Sequence, residues 1–171
     1  MHIVTRLLPA LTVLLLAIAG VLPWGHGNEM RFCLPALAFF GIHYWQYRQP
    51  DLMPPTFVAS VGLGIDVLTS GPFGFWALVF LAGVAITAAV DSLVDSTDGL
   101  IRWLGFVAAS SGLSLVAWLI ASGYVQKPVD WTQMLVSVVI QSMLYPLIAA
   151  LLSPIGKWVA GPRVLILERQ R

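Results

Sequence analysis

The chain has little charge. Nine Lys or Arg and eight Asp or Glu make up only 10% of its 171 residues, where a soluble domain carries about 25%. That scarcity excludes an ordinary soluble surface. The two signs nearly cancel, at a formal net charge of +1, so the basic footprint of a nucleic-acid binder is missing. Cysteine is almost absent. Cys33 stands alone in an apolar run, which excludes an intrachain disulfide and leaves the redox compartment open. The three histidines, His2, His26 and His43, lie far apart. They fit neither H-x-x-x-H nor H-E-x-x-H, and placement at a membrane interface accounts for His26 and His43. No phosphate loop, nucleotide fingerprint or Ser/His/Asp arrangement is present. The chain therefore reads as a non-enzyme, with no metal and no cofactor.

What remains is apolar. Hydrophobic residues make up 58% of the chain and the mean hydropathy is +0.87. The composition is that of an integral membrane protein, all-α. Six apolar segments can be marked, at about 7–24, 31–47, 52–69, 73–90, 101–122 and 131–152. Each has roughly the length that crosses a hydrocarbon core at about 1.5 Å per residue. The links between them are short and rich in Gly, Pro, Asn and Asp, so sequential helices become antiparallel neighbours. The second segment is the least regular, with Pro35 in its first turn and polar residues crowding its end. Pro146 predicts a kink in the sixth. The first segment is long for a signal peptide, and Pro23-Trp24-Gly25-His26 offers no small-x-small cleavage site; it reads as a retained helix. Residues 1–171 thus form one membrane domain, with 153–171 as a short basic and apolar tail suited to the inner membrane surface.

The charges orient this plan. With six spans and a cytoplasmic amino terminus, Arg6, Arg48, Arg102, Lys157, Arg163, Arg169 and Arg171 lie inside, and only Arg31 and Lys127 lie outside. A split of seven against two is what short loops obeying the positive-inside rule give. Both termini are then cytoplasmic. Trp24, Trp45, Trp76, Trp103, Trp131 and Trp158 fall at or near segment ends, where amphipathic rings favour the interface.

One stretch departs from plain hydropathy. It runs YWQYRQPDLMPPTFVASVGLGIDVLTSGPFGFWAL, from Tyr44 to Leu78. An aromatic and basic edge (Tyr44, Trp45, Tyr47, Arg48, then Pro50) precedes an apolar run with a single carboxylate, Asp66. A charged residue at the centre of a membrane helix costs roughly 2.5–3.5 kcal/mol on insertion scales. Asp66 therefore has a local reason to be there. It either contacts a polar partner inside the bundle, or it caps the following helix by bonding the free N–H groups around Gly71 to Gly74. Ser60 and Gly64, and likewise Gly62 and Asp66, are four apart and form small faces that let another backbone approach. That backbone belongs either to the same bundle, the nearer reading, or to another protein. Gly83 and the Gly105-to-Gly112 spacing are weaker signals of the same kind.

The acidic link Asp91, Asp95, Asp98-Gly99 invites two enzymatic readings and fits neither. A calcium loop needs D-x-D-x-D-G. Lipid phosphatidyltransferases resemble D-G-x-x-A-R with a later aspartate pair; here Arg102 comes one place early, and the alanine and the pair are missing. A solvated acidic loop is the plain reading.

The Tyr44–Leu78 stretch resembles the signature of the rod-shape-determining MreD family: an aromatic pair, a short Arg-Pro turn, G-L-x-x-D, then a G-x-x-G turn. Tyr44-Trp45, Arg48, Pro50, Gly62-Leu63, Asp66, Gly71 and Gly74 stand where that pattern places them, over about a fifth of the chain. The resemblance implies a non-enzymatic inner-membrane component of the bacterial cell-elongation machinery. Its implied partners are MreC, through that protein's membrane helix, MreB filaments, and a RodA-type glycan polymerase with its class B penicillin-binding transpeptidase. The implied fold is also similar to the six-helix substrate-binding subunits of energy-coupling-factor vitamin transporters. That similarity supplies the rival expectation of a small-molecule carrier subunit, which would need a polar cavity. Asp66 is the only ionisable side chain the sequence puts plainly inside a span, and this weighs against a carrier.

Overall fold

The computed structural model describes residues 2–22, 36–93, 99–125 and 130–168. Among these there are six α-helices, one 3-10 turn and no strand. The helices are α1 (His2–Val21), α2 (Leu37–Arg48), α3 (Pro55–Thr69), α4 (Phe75–Leu93), α5 (Gly99–Val125) and α6 (Trp131–Glu168), with the 3-10 turn at Pro50–Leu52. Cys33, His26, Trp24, Arg31, Asp95, Asp98 and Lys127 lie outside the described residues.

Among the described residues, three helices are long and apolar enough to cross a membrane, over Phe75–Ser92, Gly99–Tyr124 and Met134–Val159. Two shorter apolar helices accompany them, Leu7–Val21 and Pro55–Thr69. The outside of the bundle is as apolar as its inside. Along α6, Leu135, Val139, Met143, Leu147 and Leu151 are all exposed, a continuous apolar stripe at helical spacing. Water does not tolerate so large a patch, and lipid does. The molecule is a membrane protein.

Prolines set the departures from the expected segments. The third segment starts at Pro55 instead of residue 52, because Pro50 opens a 3-10 turn closed by Met53 N–H to the Pro50 carbonyl (3.0 Å). Pro54 and Pro55 then begin α3, where a missing N–H does no harm. At the other end, α6 runs on to Glu168 as one helix through Pro146 and Pro154. The helix thus continues past the expected boundary at 152. Each proline removes a single ladder bond, and the helix also continues through Gly156, Gly161 and Pro162.

The irregular second segment turns out to be the centre. Every residue of α2 from Ala38 to Trp45 is buried, and α2 packs on α1, α4 and α6. A helix apolar all round belongs inside. Phe39 and Phe40 from α2 meet Phe106 of α5 with ring centroids 6.1 and 5.2 Å apart. Gly83 of α4 is what admits Phe39: a Cβ there would lie 2.6 Å from the Phe39 ring. The tryptophans near segment ends differ in exposure. Trp131 and Trp158 are exposed, but Trp45 and Trp76 are buried in the bundle. Trp45 is held there because its indole N–H donates to Thr12 Oγ1 at 2.8 Å, tying α2 to α1.

Helices α3 and α4 form the tightest pair. A Cβ on Gly62 would stand 2.4 Å from both the N and the Cα of Ala77, so the two backbones touch at this glycine. Gly64 has open space around it and Ser60 is exposed, with its hydroxyl donating to the Thr56 carbonyl at 2.8 Å. Of the two small faces, Gly62 and Asp66 look inward and Ser60 and Gly64 look outward. Gly62→Ala should destabilise the protein by about 1–3 kcal/mol, the usual penalty of overpacking. Gly64→Ala should be neutral or stabilising by up to about 1 kcal/mol through helix propensity. Thermal unfolding of the two variants in detergent checks this; equal effects would mean that the close approach at Gly62 is not what sets the pair.

Candidate functional site

The site is built on the turn from α3 to α4. Helix α3 ends in two bonds that close its last turn: Ser70 N–H to the Val67 carbonyl (3.4 Å) and Gly71 N–H to the Asp66 carbonyl (3.1 Å). Ser70 takes the left-handed conformation this ending requires, at φ 53°. The chain then turns through Gly71 and Pro72, and Gly74 sits at φ 92°. Only glycine adopts that angle freely.

These two bends bring the start of α4 back against Asp66. Its Oδ2 accepts the Gly74 N–H at 2.8 Å and its Oδ1 accepts the Trp76 N–H at 2.9 Å. Both N–H groups belong to the orphan set at a helix start, which has no partner within its own helix. The carboxylate is 1% exposed. It caps α4 from a neighbouring helix and lies at the positive end of that helix's dipole. Charge-assisted bonds of this kind are the strong ones. The two acceptors are used and the group is closed to direct contact from outside.

The other residues of the sequence signature lie elsewhere. Tyr44 is buried at the end of α2, edge-on to Trp45 at 5.3 Å between ring centroids. The Arg48 guanidinium lies 5.6 Å from the Tyr44 ring centre and the side chain is exposed, as is Pro50. Tyr44 and Arg48 both rest against Gly156 of α6, where a Cβ would meet them at 2.5 and 3.0 Å. This rim and the Asp66 turn sit at opposite ends of α3, whose 15 residues measure about 22 Å. Gly62, Asp66, Gly71 and Gly74 form one cluster; Tyr44, Trp45, Arg48 and Pro50 form another.

A third polar feature was not expected. His43 is packed inside the protein. It is 3% exposed, in the middle of the bundle. Its Nδ1 lies 3.3 Å from the Tyr145 hydroxyl, and its ring stands edge-on to Phe106 and Tyr145 at 5.1 and 5.4 Å. One turn before Tyr145 on α6, Gln141 is buried and donates through Nε2 to Ser137 Oγ at 2.7 Å. Asp66 is therefore not the only ionisable group inside. The signal in the sequence was the continuity of the run Leu37-Ala38-Phe39-Phe40-Gly41-Ile42-His43-Tyr44-Trp45. A helix with no polar face offers its histidine no aqueous side. Among the described residues, no three His, Cys, Asp or Glu side chains gather as a metal-ligand set.

The cap makes graded demands on residue 66. Asp66→Asn keeps one acceptor and turns an NH2 toward an N–H, losing about 1.5–3 kcal/mol, the worth of one hydrogen bond to a charged group. Asp66→Leu should lose roughly twice that, even though leucine suits lipid better. Gly74→Ala should cost about 1–2 kcal/mol from backbone conformation alone, since its Cβ has room. Unfolding in detergent measures all three; a leucine variant as stable as the parent would show that the capping bonds contribute nothing.

No family model matches the chain, and none of the curated proteins or solved structures compared with it matches either.

Proposed function

We propose that this chain is a non-enzymatic component of the bacterial cell-elongation complex, an MreD-type membrane scaffold. In that role it links MreB filaments and MreC to a RodA-type polymerase and a class B penicillin-binding transpeptidase. The observation that carries the reading is the glycine-spaced hairpin. Gly62, Asp66 and Gly74, residues of the resemblance, each have a definite task in one turn, and the Gly71 N–H closes the end of α3. An apolar exterior supports it, because partner contacts for such a molecule fall within the membrane or at its rims.

The topology that goes with this role is six spans in the inner membrane, with both termini cytoplasmic. The seven-to-two split of basic residues supports it. Helices α1, α2 and α3 then cross as inner or tilted members of the bundle, with α2 screened from lipid by its neighbours. A reporter fused after Arg171 is expected in the cytoplasm, and one inserted at Gly27 or Lys127 outside it. A carboxyl terminus found outside would remove the six-span plan.

The role itself is tested by complementation and capture. In a rod-shaped bacterium lacking its own MreD protein, the chain, or a chimera carrying its Tyr44–Leu78 stretch, should restore rod shape. It should also co-purify with MreC in detergent. Replacing the MreC membrane helix by an unrelated one should reduce capture at least tenfold. Unchanged capture would place the contact elsewhere, and failure of the parent chain both to restore shape and to bind MreC would overturn the reading.

A further inference from the structure

A narrow cleft of about 40 Å³ opens between α4, α5 and α6 at the same end of the bundle as the Asp66 turn. Its walls are apolar and partly aromatic: Trp76, Leu113, Ala117 and Trp118. Its polar groups are Ser114, Ser137 and Gln141, all buried. Gln141 is 2% exposed and its Oε1 has no hydrogen-bond partner. A buried amide oxygen left in that state costs about 1–3 kcal/mol. Turned over, the amide would leave N–H hydrogens unsatisfied instead of a carbonyl.

We propose that this cleft binds the uncharged hydroxyl- or carboxamide-bearing end of an amphiphilic molecule. The depth comes from the helix. Asp130, at the mouth, and Gln141 are 11 residues apart, roughly 16 Å along α6. The space is far below the roughly 300 Å³ at which ligand pockets begin, so a whole drug-sized solute does not fit. A single polar end group on a narrow stem does. An amide or hydroxyl there both donates and accepts, and satisfies Gln141 in either orientation. The small side chains of Ala117 and Ala121 leave the stem its width. The mouth sets a charge preference. Asp130 is exposed, and its carboxyl is held below the usual carboxylate range by hydrogen bonds from the Thr132 backbone and side chain. An anionic end would be repelled there. The inference stands independently of the elongation-complex reading.

The test is thermal unfolding of the purified full chain in detergent, with hexanamide, hexan-1-ol and 1-chlorohexane as probes. All three partition into micelles; only the first two can bond to Gln141. At saturating concentration hexanamide and hexan-1-ol should raise the unfolding temperature by about 3 °C more than 1-chlorohexane does, through binding linkage. Gln141→Leu, which keeps the volume and removes the amide, should erase that difference. Ala117→Leu, which fills the cleft and leaves the amide, should erase it as well and serves if the first variant does not accumulate. Equal shifts from all three probes in the parent would overturn the proposal, and so would an amide-specific shift that persists in the variants.

Discussion

A carboxylate away from water is stable only where something replaces its hydration. Asp66 obtains that replacement from two backbone N–H groups that have no other partner. The exchange is mutual. The start of α4 would otherwise bury Gly74 and Trp76 donors unbonded, at about 1–3 kcal/mol each. The carboxylate would otherwise be an isolated charge. Geometry then follows from the pairing. For Asp66 to reach Trp76 across ten residues, α3 must end sharply, which Ser70 does in the left-handed region. The chain must also swing back, which Gly74 does at positive φ. Finally the two helices must touch, which Gly62 allows against Ala77. Four sequence positions serve one hydrogen-bonded pair.

The centre of the bundle obeys a different constraint. Helix α2 has only 12 residues, about 18 Å at the usual rise, and is enclosed by longer neighbours. Its stability therefore comes from ring packing. Phe40, Phe106 and Tyr145 stack, with 4.0 Å between the Phe106 and Tyr145 centroids. In lipid there is no hydrophobic gain from bringing helices together, so dense packing and interhelical hydrogen bonds carry the association. Trp45 to Thr12 and Trp103 to the Ser142 carbonyl are bonds of that kind, at 2.8 and 2.9 Å.

Much of this was legible before any coordinates. Hydropathy marks the helical segments, because a membrane leaves the backbone few choices. The cap was legible as one of two options, since a lone carboxylate next to a glycine turn has few local partners; the second donor, Trp76, lay beyond the Gly71–Gly74 range. Three things were not legible. Burial against other helices does not follow from hydropathy, as both faces of a membrane helix are apolar; hence the burial of Trp45, Trp76 and His43 was not legible. Helix ends near prolines were misplaced in both directions: α3 starts at Pro55, after the expected residue 52, and α6 runs past the expected 152. And a linear motif does not reveal distance. The Arg48 rim and the Asp66 turn are consecutive in sequence and a full helix apart in space.

That separation bears on how such a hairpin can act. Asp66 is closed off, so a partner protein cannot read the charge directly. The exposed surface that the charge fixes is the outward face of α3, with Ser60 exposed and open space at Gly64, and the exposed Arg48 rim lies at its other end. The cap locks one end of α3 to α4. At the other end, Met53 is buried and anchors the turn that enters the helix. A helix pinned at both ends presents its outer face as a rigid unit. The buried carboxylate fixes the position of the helix it belongs to, and a substitution at residue 66 reaches the far rim only through α3 itself.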